Sequence, residues 1–237
     1  MKQYNLMYII IALVLLTSTV RADKRSYVWT YEYLTMKAGE VELEHYLSFS
    51  TPSSDSFSGI TTTEHNIEIE IGMNDRFDVG IYQVFKQAPE SQFKYSGYKL
   101  RLRYRLGEKG DYFIDPLLYF EYKGKPDFSE HGYEGKLILA KDIGNFNIAV
   151  NPVIEYEYED NEWESELKYN AGISYKLGGM LTFGLEARGS DNGHYFGPVI
   201  SHGTGKAWIA LGSAFALTEI KNNKPGIMLR IILGINL

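Results

Sequence analysis

Charged side chains that alternate with apolar ones are the residues of this sequence best suited to chemistry. Acidic residues alternate in this way within residues 40–44 and 67–71, and basic residues do so within 98–106. Successive side chains of a β-strand point to opposite faces, so each stretch gathers its charges on one face. Such a face can line an aqueous passage and select solutes by charge. The candidate pore-lining residues are Glu42, Glu44, Glu68, Glu70, Lys99, Arg101, Arg103, Arg105, Asp115, Glu121, Glu155, Glu157, Glu186 and Arg188.

The first eight of these residues are predicted to form two charged walls. The acidic wall consists of Glu42, Glu44, Glu68 and Glu70. The basic ladder, two strands away, consists of Lys99, Arg101, Arg103 and Arg105. Opposed walls would produce a transverse electric field that orients dipolar solutes and filters them by charge. In the alternative arrangement, the charges pair across strands and fill the interior, which leaves a structural barrel.

Serine and histidine residues lack the spacing of a catalytic pair. Two side chains on one face of a strand are separated by an even number of positions. Ser201 and His202 are adjacent, however, and His45 and Ser48 are three positions apart. No third partner is visible. We therefore expect no catalytic residues and no enzyme activity.

Metal ligands are also scarce. The chain has no cysteine, which removes disulfides and thiolate ligands. Hairpin symmetry places His45 opposite His65 on an outer face, where zinc would lack its third and fourth ligands. We expect no metal site and no cofactor.

Twelve stretches of period-two alternation would position the charged residues. Most are about ten residues long, which is the length that a tilted strand needs to cross a bilayer. The predicted strands are 39–49, 61–71, 76–86, 96–106, 111–122, 132–141, 146–158, 164–177, 180–189, 194–202, 206–217 and 226–237. The sequence thus predicts an all-β fold, a transmembrane antiparallel up-and-down β-barrel of about 12 strands.

The connections between these strands alternate between two kinds. Tight turns rich in Gly and Asn are predicted at 72–75, 107–110, 142–145, 178–179 and 203–205. Mostly longer polar loops are predicted at 50–60, 87–95, 123–131, 159–163, 190–193 and 218–225. Short turns at one end and longer loops at the other are typical of outer-membrane barrels. Both chain termini are then expected in the periplasm.

The outward side chains decide between a lipid-facing barrel and a soluble barrel or sandwich. Aromatic residues cluster near both ends of the outward register, as with Phe146 and Tyr175 near the turns and Tyr133 and Tyr156 near the loops. Two aromatic belts match two membrane–water interfaces. A basic residue facing lipid costs about 2–4 kcal/mol at the bilayer midplane, so the basic ladder must face the interior.

The first residues predict export. Lys2 precedes an apolar run of eleven residues, 6–16, which suits a secretory signal and is too short for a spanning helix. Val20 and Ala22 fit a signal-peptidase site, so cleavage is predicted after Ala22. The chain divides into a signal peptide (1–22), an N-terminal periplasmic or plug segment (23–38) and the barrel (39–237). Residues 24–37 could form an extra strand, a tail or an inward-folded plug.

Two short stretches resemble a known family. Residues 29–40 (WTYEYLTMKAGE), together with 196–201 (FGPVIS) and 208–217 (WIALGSAFAL), resemble the MetA-pathway phenol-degradation, transporter-like family of outer-membrane β-barrel proteins. The resemblance implies a barrel of about twelve strands that passes small, apolar or aromatic compounds. It brings no catalytic residues.

The expected function is a narrow channel or porin for passive uptake of small solutes in the bacterial outer membrane. The alternatives are a non-conducting structural or binding barrel that works through its extracellular loops, and a membrane-embedded hydrolase. Expected partners are outer-membrane lipid and lipopolysaccharide, the barrel-assembly machinery and a small-molecule solute. The formal net charge of −6 argues against nucleic acid as a partner.

Overall fold

The computed structural model describes residues 25–53, 59–159, 161–204 and 206–237. Twelve β-strands form one closed antiparallel barrel, in which each strand pairs with the next in sequence and the first pairs with the last. The strands are β1 (Val41–Thr51), β2 (Thr62–Asn74), β3 (Phe77–Gln87), β4 (Lys94–Arg105), β5 (Asp115–Gly124), β6 (His131–Ile143), β7 (Phe146–Glu159), β8 (Glu162–Leu177), β9 (Leu181–Ser190), β10 (Gly193–Thr204), β11 (Ala207–Ala216) and β12 (Ile227–Asn236). The predicted fold class is confirmed. The predicted signal peptide lies outside the described residues. No described helix has the length and apolar character needed to cross a membrane.

Alternation of polar and apolar side chains sets the two faces of each strand, as β7 illustrates. Asn147, Asn151 and Glu155 are buried, whereas Ile148 and Ile154 between them are exposed. Because the side chains of a strand alternate with a period of two, the polar set points into the barrel and the apolar set points out. This arrangement is the reverse of a soluble barrel, whose apolar face points inward.

The barrel closes between its first and last strands. β1 pairs with β12 in one antiparallel register that runs from Glu42 opposite Asn236 to Thr51 opposite Ile227. Beyond it, the backbone N–H of Leu237 donates to the carbonyl of Val41 at 2.9 Å. Closure pairs the strand edges that would otherwise be free to join another chain.

The outer surface has an aliphatic band between two aromatic zones. Ile69, Leu100 and Leu211 are each 40–45% exposed on this surface. Aromatic pairs lie beyond the band: Phe146 contacts Tyr175 at one end (ring centroids 4.9 Å apart), and Tyr133 contacts Trp163 at the other (6.0 Å). A continuous apolar surface of this kind is stable against lipid and unfavourable in water.

The two ends of the barrel differ in their connections. One end, here the turn end, carries the connections 75–76, 106–114, 144–145, 178–180 and 205–206. The other, here the loop end, carries 52–61, 88–93, 125–130, 160–161, 191–192 and 217–226. Gly144 (φ 59°) and Gly178 (φ 66°) supply the left-handed backbone that two of the turns need.

The connection between β4 and β5 differs from its prediction. β5 begins at Asp115, whereas the sequence predicted a strand from residue 111 after a tight turn. Side chains hold this connection in place of a strand ladder: the Asp115 carboxylate accepts from the N–H of Gly110 (2.9 Å), and the Asp111 carboxylate accepts from the N–H of Glu108 (2.7 Å). Local hydrogen bonds of this kind compete with strand pairing.

Residues 25–36, here named the inner segment, lie inside the barrel. Tyr27, Trp29, Tyr31 and Tyr33 are each at most 8% exposed. They form one buried cluster with inward side chains of the barrel wall, including Tyr119. The hydrophobic core of the protein is therefore the contact between this segment and the inner wall.

Candidate functional site

The candidate pore-lining residues divide into three groups by burial. Ten are buried on the inner face: Glu42, Glu44, Glu68, Glu70, Arg101, Arg103, Asp115, Glu121, Glu155 and Glu186. Three are partly buried: Lys99, Arg105 and Arg188. Glu157 is exposed at the loop end, where it lies opposite Glu164 in the register.

Arg101 is the centre of a buried ion-pair network in the turn half of the barrel. Its guanidinium lies 2.9 Å from Glu68 and 2.7 Å from Glu70, and Arg101 and Glu68 are fully buried. Arg103 pairs with Glu70 and, at 2.6 Å, with Asp78 of β3. The network crosses β3 above Gly80, where an added Cβ would lie 3.1 Å from the Arg101 Cζ and would also overlap the Glu68 carboxylate.

The acidic wall and the basic ladder are therefore paired with each other. The expectation of opposed walls across an open passage is wrong for Glu68, Glu70, Arg101 and Arg103. The reason is geometric: only β3 separates the two sets, and long arginine side chains span one strand. Buried charges favour this pairing because an uncompensated charge in a dry interior is costly. In this half of the barrel, the charges pair across strands and fill the interior, as in the alternative arrangement.

Glu186 of β9 binds the backbone of the inner segment. Its carboxylate accepts hydrogen bonds from three consecutive N–H groups, those of Val28 (3.0 Å), Trp29 (2.9 Å) and Thr30 (2.7 Å). Hydrogen bonds to an ionised group are stronger than those between neutral groups. Glu186 thus fixes the inner segment at the point where Trp29 enters the lumen.

Other side chains of the wall complete this attachment. The Asn151 amide bonds Tyr31 twice, accepting from its N–H (2.6 Å) and donating to its carbonyl (3.1 Å). The Asp78 carboxylate accepts from the N–H of Met36 at 2.9 Å. Asn151 and Asp78 were not among the candidate residues, although the alternation places both on the inward face and could have identified them.

A cavity of about 270 Å³ lies above the inner segment on the loop side. We call this cavity the vestibule. Trp29 and Tyr31 line its floor, and residues near the loops, including Asn192 and Lys224, line its rim. The wall carries eight basic side chains: Arg25, Lys99, Lys123, Lys136, Lys168, Arg188, Lys224 and Arg230. Four acidic side chains share it: Glu121, Glu134, Glu155 and Glu166. The vestibule is positive although the chain as a whole is acidic.

Lysines neutralise the four glutamates. Lys123 pairs with Glu134 (3.5 Å) and Glu155, and Lys168 pairs with Glu155 and Glu166 (3.0 Å). Further pairs join Lys136 to Glu134 (2.7 Å), Lys99 to Glu121 (3.8 Å) and Lys224 to Glu166 (3.8 Å). The vestibule arginines are left out of these pairs.

A small cavity of about 20 Å³ lies on the turn side of the inner segment. Arg25 lines both this cavity and the vestibule. Its guanidinium donates to the Tyr46 hydroxyl at 2.7 Å and lies 3.7 Å from the Glu44 carboxylate. Arg25 therefore lies between the two cavities.

Glu44, Glu68 and Glu70 place carboxylate oxygens within 4.8 Å of one another, as ligands of a cation do. Each of these carboxylates already has an arginine partner, from Arg25, Arg101 or Arg103. The cluster is thus accounted for by ion pairing.

The barrel has the fold of outer-membrane porins. The KdgM porin in complex with disordered oligogalacturonate superposes with a TM-score of 0.55 at 10% identity, covering 83% of this chain and 97% of that chain. An outer-membrane channel of Pseudomonas putida F1 gives 0.61 at 11% identity, over 89% and 100% of the chains. The NanC porin gives 0.56 at 10% identity, over 83% and 100%.

No protein-family model matches the sequence, and no curated protein is significantly similar to it. The resemblance to the MetA-pathway family therefore stays a prediction. The structural likenesses, at 11% identity or less, establish the fold.

Proposed function

We propose that this chain is a narrow channel of the bacterial outer membrane that admits small solutes by diffusion. The observation that carries the proposal is the vestibule, a charged cavity of about 270 Å³ inside a barrel with an apolar outer surface. A barrel that served only as a scaffold has no need of a cavity lined by eight basic residues. The fold shared with porins supports the same class of function.

The inner segment is proposed to control this passage. It occupies the lumen between the two cavities, and its backbone N–H groups are held by hydrogen bonds to the side chains of Glu186, Asn151 and Asp78. These attachments are made to side chains, so the segment can shift without breaking any strand ladder of the barrel. We propose that residues 23–38 act as a plug and that the mature chain begins after Ala22.

Membership of the MetA-pathway phenol-degradation family is part of the proposal. Three aromatic residues of the inner segment, Trp29, Tyr31 and Tyr33, fall in the first stretch that carries the resemblance, and Trp29 and Tyr31 form the vestibule floor. Lipid, lipopolysaccharide and the barrel-assembly machinery are the proposed partners, together with a small solute.

The ion-paired turn half supports a second candidate, a non-conducting barrel. There Arg101 and Arg103 join the acidic wall in a buried network, which fills the interior as a structural element would. Such a protein would act through its loops.

Single-channel recording in planar bilayers separates the two candidates. We expect discrete conductance steps from the purified folded protein, and larger steps after deletion of residues 25–36. A bilayer that stays sealed with both forms would overturn the channel. The matched control is deletion of residues 125–130 at the loop end, which should leave conductance unchanged and would abolish the activity of a loop-based binding protein.

A further inference from the structure

Arg188 and Arg230 are the two vestibule arginines that have no carboxylate partner among the described residues. Arg188 of β9 makes neither a hydrogen bond nor an ion pair there, and it lies over the Trp29 ring with its Cζ 5.5 Å from the centroid. Arg230 of β12 donates from Nε to the Ser48 hydroxyl (2.8 Å) and from Nη1 to the Val28 carbonyl (3.2 Å). Its Cζ lies 5.6 Å from the same Trp29 centroid.

The nearby carboxylates are already occupied. Glu186, two residues before Arg188 on β9, accepts from the inner segment. Glu166 accepts from Ser190 (2.5 Å) and Asn192 (2.6 Å) and is paired with two lysines. No described carboxylate lies within ion-pairing distance of either guanidinium group, and Glu186 and Glu64 attract Arg188 and Arg230 only from a greater distance.

The surroundings of the arginines are those of a ligand site. The backbone N–H of Trp29 donates to Glu186 at 2.9 Å, and its buried ring lies near both guanidinium groups. Tyr195 also lines the vestibule, and its hydroxyl is buried with no hydrogen-bond partner among the described residues. Two positive groups, an unpaired hydroxyl and an aromatic ring therefore meet in one cavity.

Like charges held close together without a carboxylate in contact are unfavourable, and a bound anion relieves the repulsion. A carboxylate fits the planar donor fork of arginine better than a spherical ion does. An aromatic ring attached to that carboxylate would stack on Trp29.

We propose that Arg188, Arg230, Tyr195 and Trp29 form a binding site for small organic carboxylates, with aromatic acids as the best ligands. The proposal rests on the proposed channel function, for which it names the solute class. A solute would enter past the lysines of the rim, which are paired with glutamates, and would meet at this site the first guanidinium groups that have no carboxylate in contact. It would then lie directly above the inner segment.

Binding is tested with benzoate on the full folded protein in detergent micelles. Trp163, which is exposed on the outer surface, is first replaced by Phe so that fluorescence reports on Trp29 and the buried Trp208. We expect a saturable change with benzoate and none with benzamide, the uncharged analogue of similar shape. Arg188→Gln should weaken binding at least about tenfold, which is the effect of losing one charge-assisted hydrogen bond.

Arg76→Gln is the matched control because it removes the same charge at the turn end, outside the vestibule. It should leave benzoate affinity unchanged. Arg188→Lys keeps the positive charge but loses the planar pair of guanidinium donors, so it should retain part of the affinity. Arg230 also donates to the Val28 carbonyl, so its loss could disturb the inner segment. The benzoate affinity of Arg230→Gln is therefore measured together with the resistance of this variant to heat unfolding in SDS.

Equal benzoate affinity in the Arg188→Gln and Arg76→Gln proteins would overturn the site, and so would equal binding of benzamide and benzoate. Failure of the channel is a separate result. Arginine-dependent benzoate binding by a protein that gives no conductance would leave the site standing and reject the channel. Conductance without arginine-dependent binding would support the channel and reject the site.

Discussion

Arg101 of β4 and Glu68 of β2 form a fully buried ion pair across the intervening strand, with 2.9 Å between Nη1 and Oε1. Gly80 of β3 makes this contact possible, since it pairs with Glu70 on one side and with Arg101 on the other, and its lack of a side chain leaves room for the Glu68 and Arg101 side chains. Three strands are thereby joined by side chains as well as by their ladder hydrogen bonds. The pair stabilises the turn half of the barrel. Because these charges are paired with each other, they do not contribute to the selection of solutes.

Replacement of Arg101 by Gln is therefore expected to destabilise the barrel. The change leaves Glu68 and Glu70 with one fewer positive partner in a dry interior, and breaking a buried pair in this way costs about 3–5 kcal/mol. The free energy of unfolding in urea, measured in lipid vesicles, gives the value. Arg76→Gln is the control, because its partner Glu108 is exposed and surface pairs contribute about 0–1 kcal/mol. Equal stability of the two variants would contradict the structural role of Arg101.

The period-two alternation was sufficient to predict the barrel and the inward face. Residues such as Glu42, Arg101 and Glu186 were assigned correctly to that face because a strand side chain has only two directions. The alternation could not predict which residues these side chains contact. Whether Arg101 meets Glu68 depends on the missing side chain of Gly80, and Glu186 binds residues more than 150 positions away in sequence. The inner segment alternates Tyr27, Trp29 and Tyr31 as a strand would, yet it pairs with side chains of the wall.

Loss of the Glu186 carboxylate should release the inner segment. Glu186→Ala removes three hydrogen bonds from consecutive N–H groups, each worth about 1.5–3 kcal/mol when the acceptor is charged. The chain has no cysteine, so a single Thr30→Cys reports exposure of the segment without background. We expect a charged maleimide to label Thr30→Cys at least about tenfold faster when Glu186 is Ala.

Glu186→Gln should give an intermediate rate, because one amide oxygen remains as an acceptor. A cysteine at Lys37, which is exposed in the unmodified protein, should react at the same rate in all backgrounds. Unchanged labelling at Thr30 after loss of Glu186 would show that other contacts suffice to hold the segment.

Gly172 should be needed for the position of Tyr27. An added Cβ at Gly172 would lie 2.8–2.9 Å from the Cδ1 and Cζ atoms of the Tyr27 ring. Overpacking of this kind costs about 1–3 kcal/mol and would displace the hydroxyl that donates to the Asn147 carbonyl at 2.9 Å. Gly172→Ala is therefore expected to speed labelling at Thr30→Cys and to raise single-channel conductance. Gly135→Ala is the control, since its Cβ would have only an ordinary contact with Ile154 at 3.5 Å.

The excess of basic residues in the vestibule should make the channel prefer anions. Eight basic and four acidic side chains line this cavity, so chloride is attracted and potassium is repelled at its mouth. The reversal potential across a bilayer with a potassium chloride gradient measures this preference. We expect the preference to fall between about 0.1 M and 1 M salt, because the screening length shortens from about 10 Å to about 3 Å. Lys99→Gln should reduce it, since Lys99 lines the vestibule, and Arg76→Gln at the turn end should not. A cation-selective channel, or equal selectivity in the two variants, would mean that the vestibule charges do not control the ions that pass.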